Sequence, residues 1–561
     1  MKPGVKRILY FFIIIEIIIS IFNFLIYFGG FDGDPLIHVS YAEMASRGHW
    51  FNFNLSEVSS GVTSFFWLFI GALGWLIEGI KGCLFVYDGL ILISWLGGAG
   101  ILGYLVYRWG GNSIFGVMAA VFYMGFPGIA ANGLTGMENM TFAFFLYIFI
   151  LIYSIHIEGK FFSRRWISSG IILGILLGLQ ILTRPEGVIV SIAFAGFEIW
   201  RIYTAKNYMQ RKNILKHLLL ISAVSCLIVF PMWGFHYIIT GNLIPESGVA
   251  RLMSARRMST SIHLFGPIWL YTRTLIRMIS YLPITIGLGL SVYILKRNFF
   301  VKAKKDNMIQ KYPSLVFSVI VALLGILLYT FITGALHVNR YTIWIVGIST
   351  AVFFVLVAQF IQLLSEKKSK ILMTAIMFGV IWMSMVHLGE GYIRFKRGDH
   401  IKLKDWNTII HNVNNREKQT DDLINLLERH GYRHNERAIG VLLQEVQIRL
   451  CFDDRIKIFS RDGRTQVLDY NNDGCPDLRP VLKNLDVIII MDNLNSGTIK
   501  GRIKDDEVLE LAELYENENI SETQEWKKIW YKSYPEILMY NSSDSSNKPF
   551  PILIRKFKKI S

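Results

Sequence analysis

The chain has 561 residues, of which 52% are hydrophobic, 14% aromatic and only 18% charged. That balance excludes a disordered chain and an ordinary water-soluble enzyme, and it predicts a polytopic α-helical membrane protein. The formal charge of +16 would suggest nucleic acid on a soluble protein. Here the basic residues fall in short loops between apolar runs, where they set topology and meet anionic lipid, so no nucleic-acid partner is expected.

The first apolar run, Ile8 to Phe28, is long enough to span a bilayer. Lys2, Lys6 and Arg7 precede it, which keeps the N-terminus cytoplasmic. The run is too long for a cleavable signal and lacks a small-residue cleavage site. Glu16 sits among its isoleucines and must face protein or a polar cavity. A loop over 29–61 follows at the outer face and carries Asp32 and Asp34.

Two apolar runs, 62–80 and 84–107, then lie before Arg108. Two full spans there would break the alternation of basic and non-basic loops. The first run, with Trp67, Trp75 and Glu78, is therefore read as a helix lying on the outer surface or dipping into it. From Arg108 onward the sides alternate. Basic loops hold Lys160, Arg164 and Arg165; Lys206, Arg211 and Lys212; Lys302, Lys304, Lys305 and Lys311; and Lys367, Lys368 and Lys370. This gives about eleven spans, over 7–28, 84–107, 112–130, 139–157, 168–183, 187–203, 215–240, 279–297, 313–334, 341–364 and 370–389. Segments 132–139, 184–186, 241–265 and 337–340 fall on the outer side with the first loop. Polar groups from distant parts of the chain thus converge on one face of the membrane.

Residues 1–390 are assigned to the membrane domain and 391–561 to an extracytoplasmic soluble α/β domain. The tail alternates short strands (Ala438 to Leu443, Val487 to Met491, Pro551 to Ile554) with helical stretches such as Asp421 to His430. Within it, Asp469 to Gly474 matches the first half of a calcium loop, but Pro480 stands where the closing Glu belongs, so a turn is expected. Cys83 and Cys226 lie in or beside apolar runs; Cys451 and Cys475 could pair only if the tail is outside the cytoplasm.

Five short motifs stand in the outer segments. The first loop reads Gly33-Asp34-Pro35-Leu36-Ile37, Tyr41-Ala42, Gly48-His49, Asn54, Glu57, Gly61 and Thr63-Ser64-Phe65-Phe66-Trp67. Later come Thr135-Gly136-Met137-Glu138-Asn139, Thr183-Arg184-Pro185-Glu186-Gly187, Gly241-Asn242-Leu243-Ile244-Pro245-Glu246 and Arg340-Tyr341. In this order and on this side, over roughly residues 7–390, the set resembles the GT-C class of membrane glycosyltransferases, in particular the arabinofuranosyltransferase-type branch. Gly33 departs from that branch, which carries a second Asp at this position.

The resemblance implies an inverting glycosyltransferase in the plasma membrane, with a polyprenyl-phosphate sugar as donor and an envelope glycan or glycolipid as acceptor. Asp34 is then the general base that takes the proton of the acceptor hydroxyl, with Asp32 as its rival. The bland alternative is that both aspartates simply begin a turn around Gly33 and Pro35. Glu138 could orient Asp34, bind acceptor hydroxyls or help hold a divalent cation; equally, it could be a favourable charge at a helix N-terminus. Arg340 and Arg184 are candidates for the lipid phosphate, against interfacial snorkelling. Arg251, Arg256 and Arg257 could steer it. His38, Tyr41, His49, Glu186 and Tyr341 complete the expected substrate site. No tight ligand spacing links His38, His49 and His337, so no structural zinc is expected. A transporter or flippase is the rival class; it calls for paired ionisable residues at mid-membrane, and apart from Glu16 the runs show few charges.

Overall fold

The computed structural model describes residues 3–31, 34–55, 57–59, 61–157, 166–205, 207–243, 312–331, 342–362 and 402–429, with short stretches of 367–385 and 450–460 and strands at 438–443, 485–490, 526–531 and 550–555. Most of these residues form apolar helices. In lipid a backbone must satisfy its own polar groups, and a helix does so within one segment. Six of the helices are long and apolar enough to cross a membrane.

Helix α1 (Pro3–Tyr27) leads into α2 (Asp34–Ser46) and a small antiparallel pair, β1 (Asn52–Asn54) with β2 (Glu57–Val58). Next comes α3 (Phe65–Gly110), capped by Ser64, whose side chain accepts from the Trp67 backbone N–H. It is broken at Glu78 and Gly79, where φ is −144° and +58°. The first arm folds back along the second. Trp67 stacks on Tyr87 with centroids 4.6 Å apart, and a Cβ at Gly74 would come within 2.6 Å of the Gly82 carbonyl oxygen. The run over 62–80 is thus a separate arm packed on the helix that follows it.

The expected span over 112–130 is two helices, α4 (Ser113–Gly125) and α5 (Pro127–Gly133), interrupted at Phe126 because Pro127 opens a new helix. Four longer helices follow: α6 (Asn139–Ile157), α7 (Trp166–Thr183), α8 (Gly187–Thr204) and α9 (Tyr208–Thr240). Helix α9 begins about two turns before the expected 215. Its Leu220, Val224 and Ile228 lie over Gly170, Gly174 and Gly178 of α7, where an added Cβ would meet them at 2.7 to 2.9 Å. A stripe of small residues lets two membrane helices approach this closely. Helices α10 (Pro313–Phe331) and α11 (Ile343–Gln362) match two more expected spans. The span expected at 279–297 lies outside the described residues.

Glu16 is fully buried and faces protein. Ser384 Oγ donates to its Oε1 at 3.3 Å, and the carboxylate lies against Gly125 of α4.

Beyond the bundle, α12 (Lys402–Arg429) is much longer than the helix expected at 421–430. Five strands form one sheet in the order β4-β3-β5-β7-β6, with β3 (Ala438–Leu443), β4 (Ile456–Ser460), β5 (Leu485–Ile490), β6 (Trp526–Tyr531) and β7 (Phe550–Arg555). Strand β3 is parallel to both β4 and β5, while β7 runs antiparallel to β5 and β6. All three expected strands are present; β4 and β6 are additional. The half calcium loop, Cys451 and Cys475 lie outside the described residues. An apolar cluster joins this part to the bundle: Ile37, Tyr41 and Ala45 of α2 pack with Leu423 and Ile424 of α12 and Ile456 of β4.

Candidate active site

Three motifs meet at one end of the bundle, where α1 ends, α6 begins and α7 ends. The turn before α6 fits against the first loop. Gly136 has φ +67°, and a Cβ there would lie 2.7 Å from the Phe31 ring and 3.0 Å from Pro35 Cβ. Only glycine meets both demands. The buried Trp67 indole donates to the Gly136 carbonyl at 3.3 Å and fastens the turn to α3. Glu138 is thereby carried up to the segment that opens α2 with Asp34.

Asp34 is the first residue of α2, where a negative charge is favoured by the helix dipole. One turn later His38, buried, brings Nε2 to 3.5 Å from Glu138 Oε2. Two turns after Asp34, the buried Tyr41 hydroxyl accepts the Gly61 backbone N–H at 2.8 Å and lies 3.1 Å from Ser59 Oγ. Tyr41 thus holds the far end of the first loop onto α2.

Glu138 meets the helix-terminus reading that the sequence leaves open. Its carbonyl accepts the Phe142 backbone N–H, so it does stand at the start of α6. Its side chain, however, turns inward. Arg184 Nη1 donates to Glu138 Oε1 at 2.5 Å and also to Asn139 Oδ1. The other side of the guanidinium engages Glu186, Nη2 to Oε1 at 2.8 Å and Nε to Oε2 at 3.2 Å. Arg184 is 4% exposed. The guanidinium of Arg184 is thus engaged by two carboxylates and an amide.

His49 is exposed, in the turn after α2. Asp32, Arg256, Arg340 and Tyr341 lie outside the described residues, as do Arg251, Arg257 and His337. No group of three or more His, Cys, Asp or Glu able to hold a metal occurs among the described residues. Glu138 as arranged faces a guanidinium, which does not fit a cation at its Oε1. Sequence reasoning missed three buried acids outside the motifs, Glu43, Asp88 and Glu198. Their signal, a lone acid on an otherwise apolar stretch, could have marked them.

The chain matches no protein-family model and no curated protein sequence. Its fold does match solved structures. The Archaeoglobus fulgidus oligosaccharyltransferase, crystallised in complex with Zn and sulfate, superposes with a TM-score of 0.54 at 13% identity, over 92% of this chain and 72% of that one. The oligosaccharyltransferase AglB from Archaeoglobus fulgidus, in complex with an inhibitory peptide and a dolichol-phosphate, gives 0.50 at 12% identity, over 90% and 72%. ArnT from Cupriavidus metallidurans bound to undecaprenyl phosphate gives 0.48 at 11% identity, over 98% of each chain. At such identities the likeness concerns the fold, and it rests on the oligosaccharyltransferase. The chain is thus a polytopic membrane protein with the GT-C fold.

Proposed function

We propose that the protein is an inverting glycosyltransferase that moves a monosaccharide from a polyprenyl-phosphate donor to an envelope glycan or glycolipid at the outer face of the plasma membrane. The observation that carries this reading is the meeting of the Asp34 segment, Glu138 and Arg184 at one end of a GT-C bundle. A related fold binds a dolichol-phosphate in AglB, which supports a lipid-phosphate donor here. A nucleotide-sugar would call for a cytoplasmic site, and the motif-bearing loops are the ones poor in basic residues.

In the proposed step the acceptor hydroxyl oxygen attacks the anomeric carbon. Asp34 takes the hydroxyl proton, the bond from that carbon to the phosphate oxygen breaks, and the lipid phosphate departs as an anion. A phosphate needs no strong acid to leave. Arg340, which precedes α11 in the chain, is assigned to the phosphate charge. His38 and Glu138 hold the wall beside Asp34, and Arg184 fixes Glu138. The carboxylates of Asp32 and Asp34 have ligand chemistry suited to a divalent cation, and activity after chelation and Mg²⁺ or Mn²⁺ readdition decides that requirement.

The test is transfer in detergent from a panel of polyprenyl-phosphate sugars. The wild-type protein should transfer at least one of them. Asp34→Asn should cut transfer at least about a hundredfold with expression intact. Activity retained in Asp34→Asn and lost in Asp32→Asn would move the base to Asp32. For orientation, single cysteines at Ser56, Asn132 and Ser496 should react with an impermeant thiol reagent on intact cells, and one at Asn307 should not. The reverse pattern would put the site on the cytoplasmic side.

A further inference from the structure

Helix α2 is gripped from behind by the C-terminal part of the chain. Glu43, on the last turn but one of α2, is fully buried. Its Oε1 accepts from two guanidinium groups, Arg47 in the turn just after the helix and Arg416 on α12. Arg47 reaches onward to Asp454 Oδ2 at 2.9 Å. Ten residues before Arg416, about 15 Å along the helix, the Trp406 indole donates to Asp88 Oδ2 at 3.0 Å. Asp88 lies on α3 against Gly29, the residue that ends the turn after α1. The two fastenings therefore bracket 29–46, the stretch that contains Asp32 and Asp34.

The grip continues into the sheet. The Asp453 backbone N–H donates to Thr420 Oγ1 at 3.0 Å, and Arg455 pairs with Asp421 at 2.7 Å. Both residues lead straight into β4. One path of contacts thus runs from the sheet through α12 to the helix that begins with Asp34. A buried carboxylate shared by two arginines is costly to open, because breaking it leaves charge in a dry site.

Resting on the proposed transferase reading, we infer that α12 is a positioning strut for the reactive carboxylate: Arg416 and Trp406 set the place of α2, and through it the geometry of Asp34, without touching substrate. The C-terminal part of the chain is then part of the catalytic apparatus and not an independent module.

The experiment compares the full-length Arg416→Gln, Arg416→Lys, Trp406→Phe and Arg416→Gln/Trp406→Phe proteins with wild type. It reads kcat, donor KM and hydrogen exchange of the α2 amides. The double variant should lose up to about a hundredfold in kcat, the scale set by a displacement of about 1 Å at a reacting group. Donor KM should stay within about twofold of wild type. Amides of 34–46 should exchange faster, and Arg416→Lys, which keeps the charge, should restore most of both effects. Faster exchange with unchanged kcat overturns the inference, as does a fall in kcat with α2 fully protected. If the double variant does not fold, Arg416→Gln and Trp406→Phe carry the same comparison singly. If wild type transfers no sugar from any donor, the transferase reading fails. Coupling of α12 to α2 is then decided by exchange alone, and unchanged protection in the double variant rejects it.

Discussion

Arg184 and Glu138, 46 residues apart in the chain, meet at 2.5 Å with almost no solvent on either side chain. The pair joins the end of α7 to the start of α6, and Glu186 closes its other side at 2.8 Å. The Thr-Arg-Pro-Glu-Gly motif and the Gly-Met-Glu-Asn motif are thus two halves of one contact. Removing one member is unlike removing both, because a lone charge in a dry site is unpaid for.

Arg184→Ala should therefore destabilise the protein by about 3–5 kcal/mol, the usual cost of breaking a buried ion pair. Arg184→Met combined with Glu138→Gln should recover part of that loss, since Glu138 is then neutral and only Glu186, whose side chain is 15% exposed, loses the guanidinium. Thermal unfolding in detergent measures both. Sugar transfer should stay low in the double variant, because nothing then orients the wall beside Asp34. A single variant as stable as wild type would show that water reaches the pair.

Gly136→Ala tests the contact between the two loops. The substitution puts a Cβ at positive φ and presses it to 2.7 Å from the Phe31 ring. Strain of this kind costs about 1–3 kcal/mol. The larger consequence should be on transfer, because the turn must back away from the Asp34 segment. A Gly136→Ala protein with wild-type kcat would separate that turn from the chemistry.

Much of this was legible in the sequence for simple physical reasons. A run such as Ile8 to Phe28 has no alternative to a buried helix, and α1 duly covers Pro3–Tyr27. The break within α3 was foreshadowed by the conflict between charge alternation and two apolar runs, and Gly79 supplies the bend. What the sequence could not show was pairing at a distance. Arg184 could be assigned to a phosphate or to an interfacial anchor, and its contact with Glu138, 46 residues away in the chain, left no mark in the sequence. Glu43 drew no expectation from the sequence, and its partner Arg416 lies 373 residues away. Long-range ion pairs leave no periodic trace, whereas spans and strands do.

The Asp453 turn gives the sheet's attachment a defined pH behaviour. Burial pushes the Asp453 carboxyl up, but hydrogen bonds from Arg455 and the charges of Arg455 and Arg416 outweigh it and hold it below its ordinary 3.8. A lowered acid adds stability above its unfolded value and loses it as pH falls through the folded one. Protection of α12 against hydrogen exchange should therefore be flat from pH 7 to about 5 and decline only in more acid solution. An Asp453→Asn protein should lack that acid decline. Loosening of α12 between pH 7 and 5 would assign the attachment to another group.

Arg340 remains our assignment for the lipid phosphate, since Arg184 is engaged by Glu138, Asn139 and Glu186. The charge on the phosphate rises as its bond to the sugar breaks, so a guanidinium there gains strength toward the transition state. Arg340→Lys keeps a charge but loses the bidentate fork, and it should weaken transfer. Arg340→Ala should weaken it further, by roughly 1.5–3 kcal/mol or about one to two decades in rate. Binding of a polyprenyl phosphate without sugar should fall in step, because the phosphate is common to donor and product; binding of the acceptor should not. If Arg340→Ala binds the lipid phosphate as wild type does, Arg340 is an interfacial anchor, and the phosphate passes to the cluster of Arg251, Arg256 and Arg257.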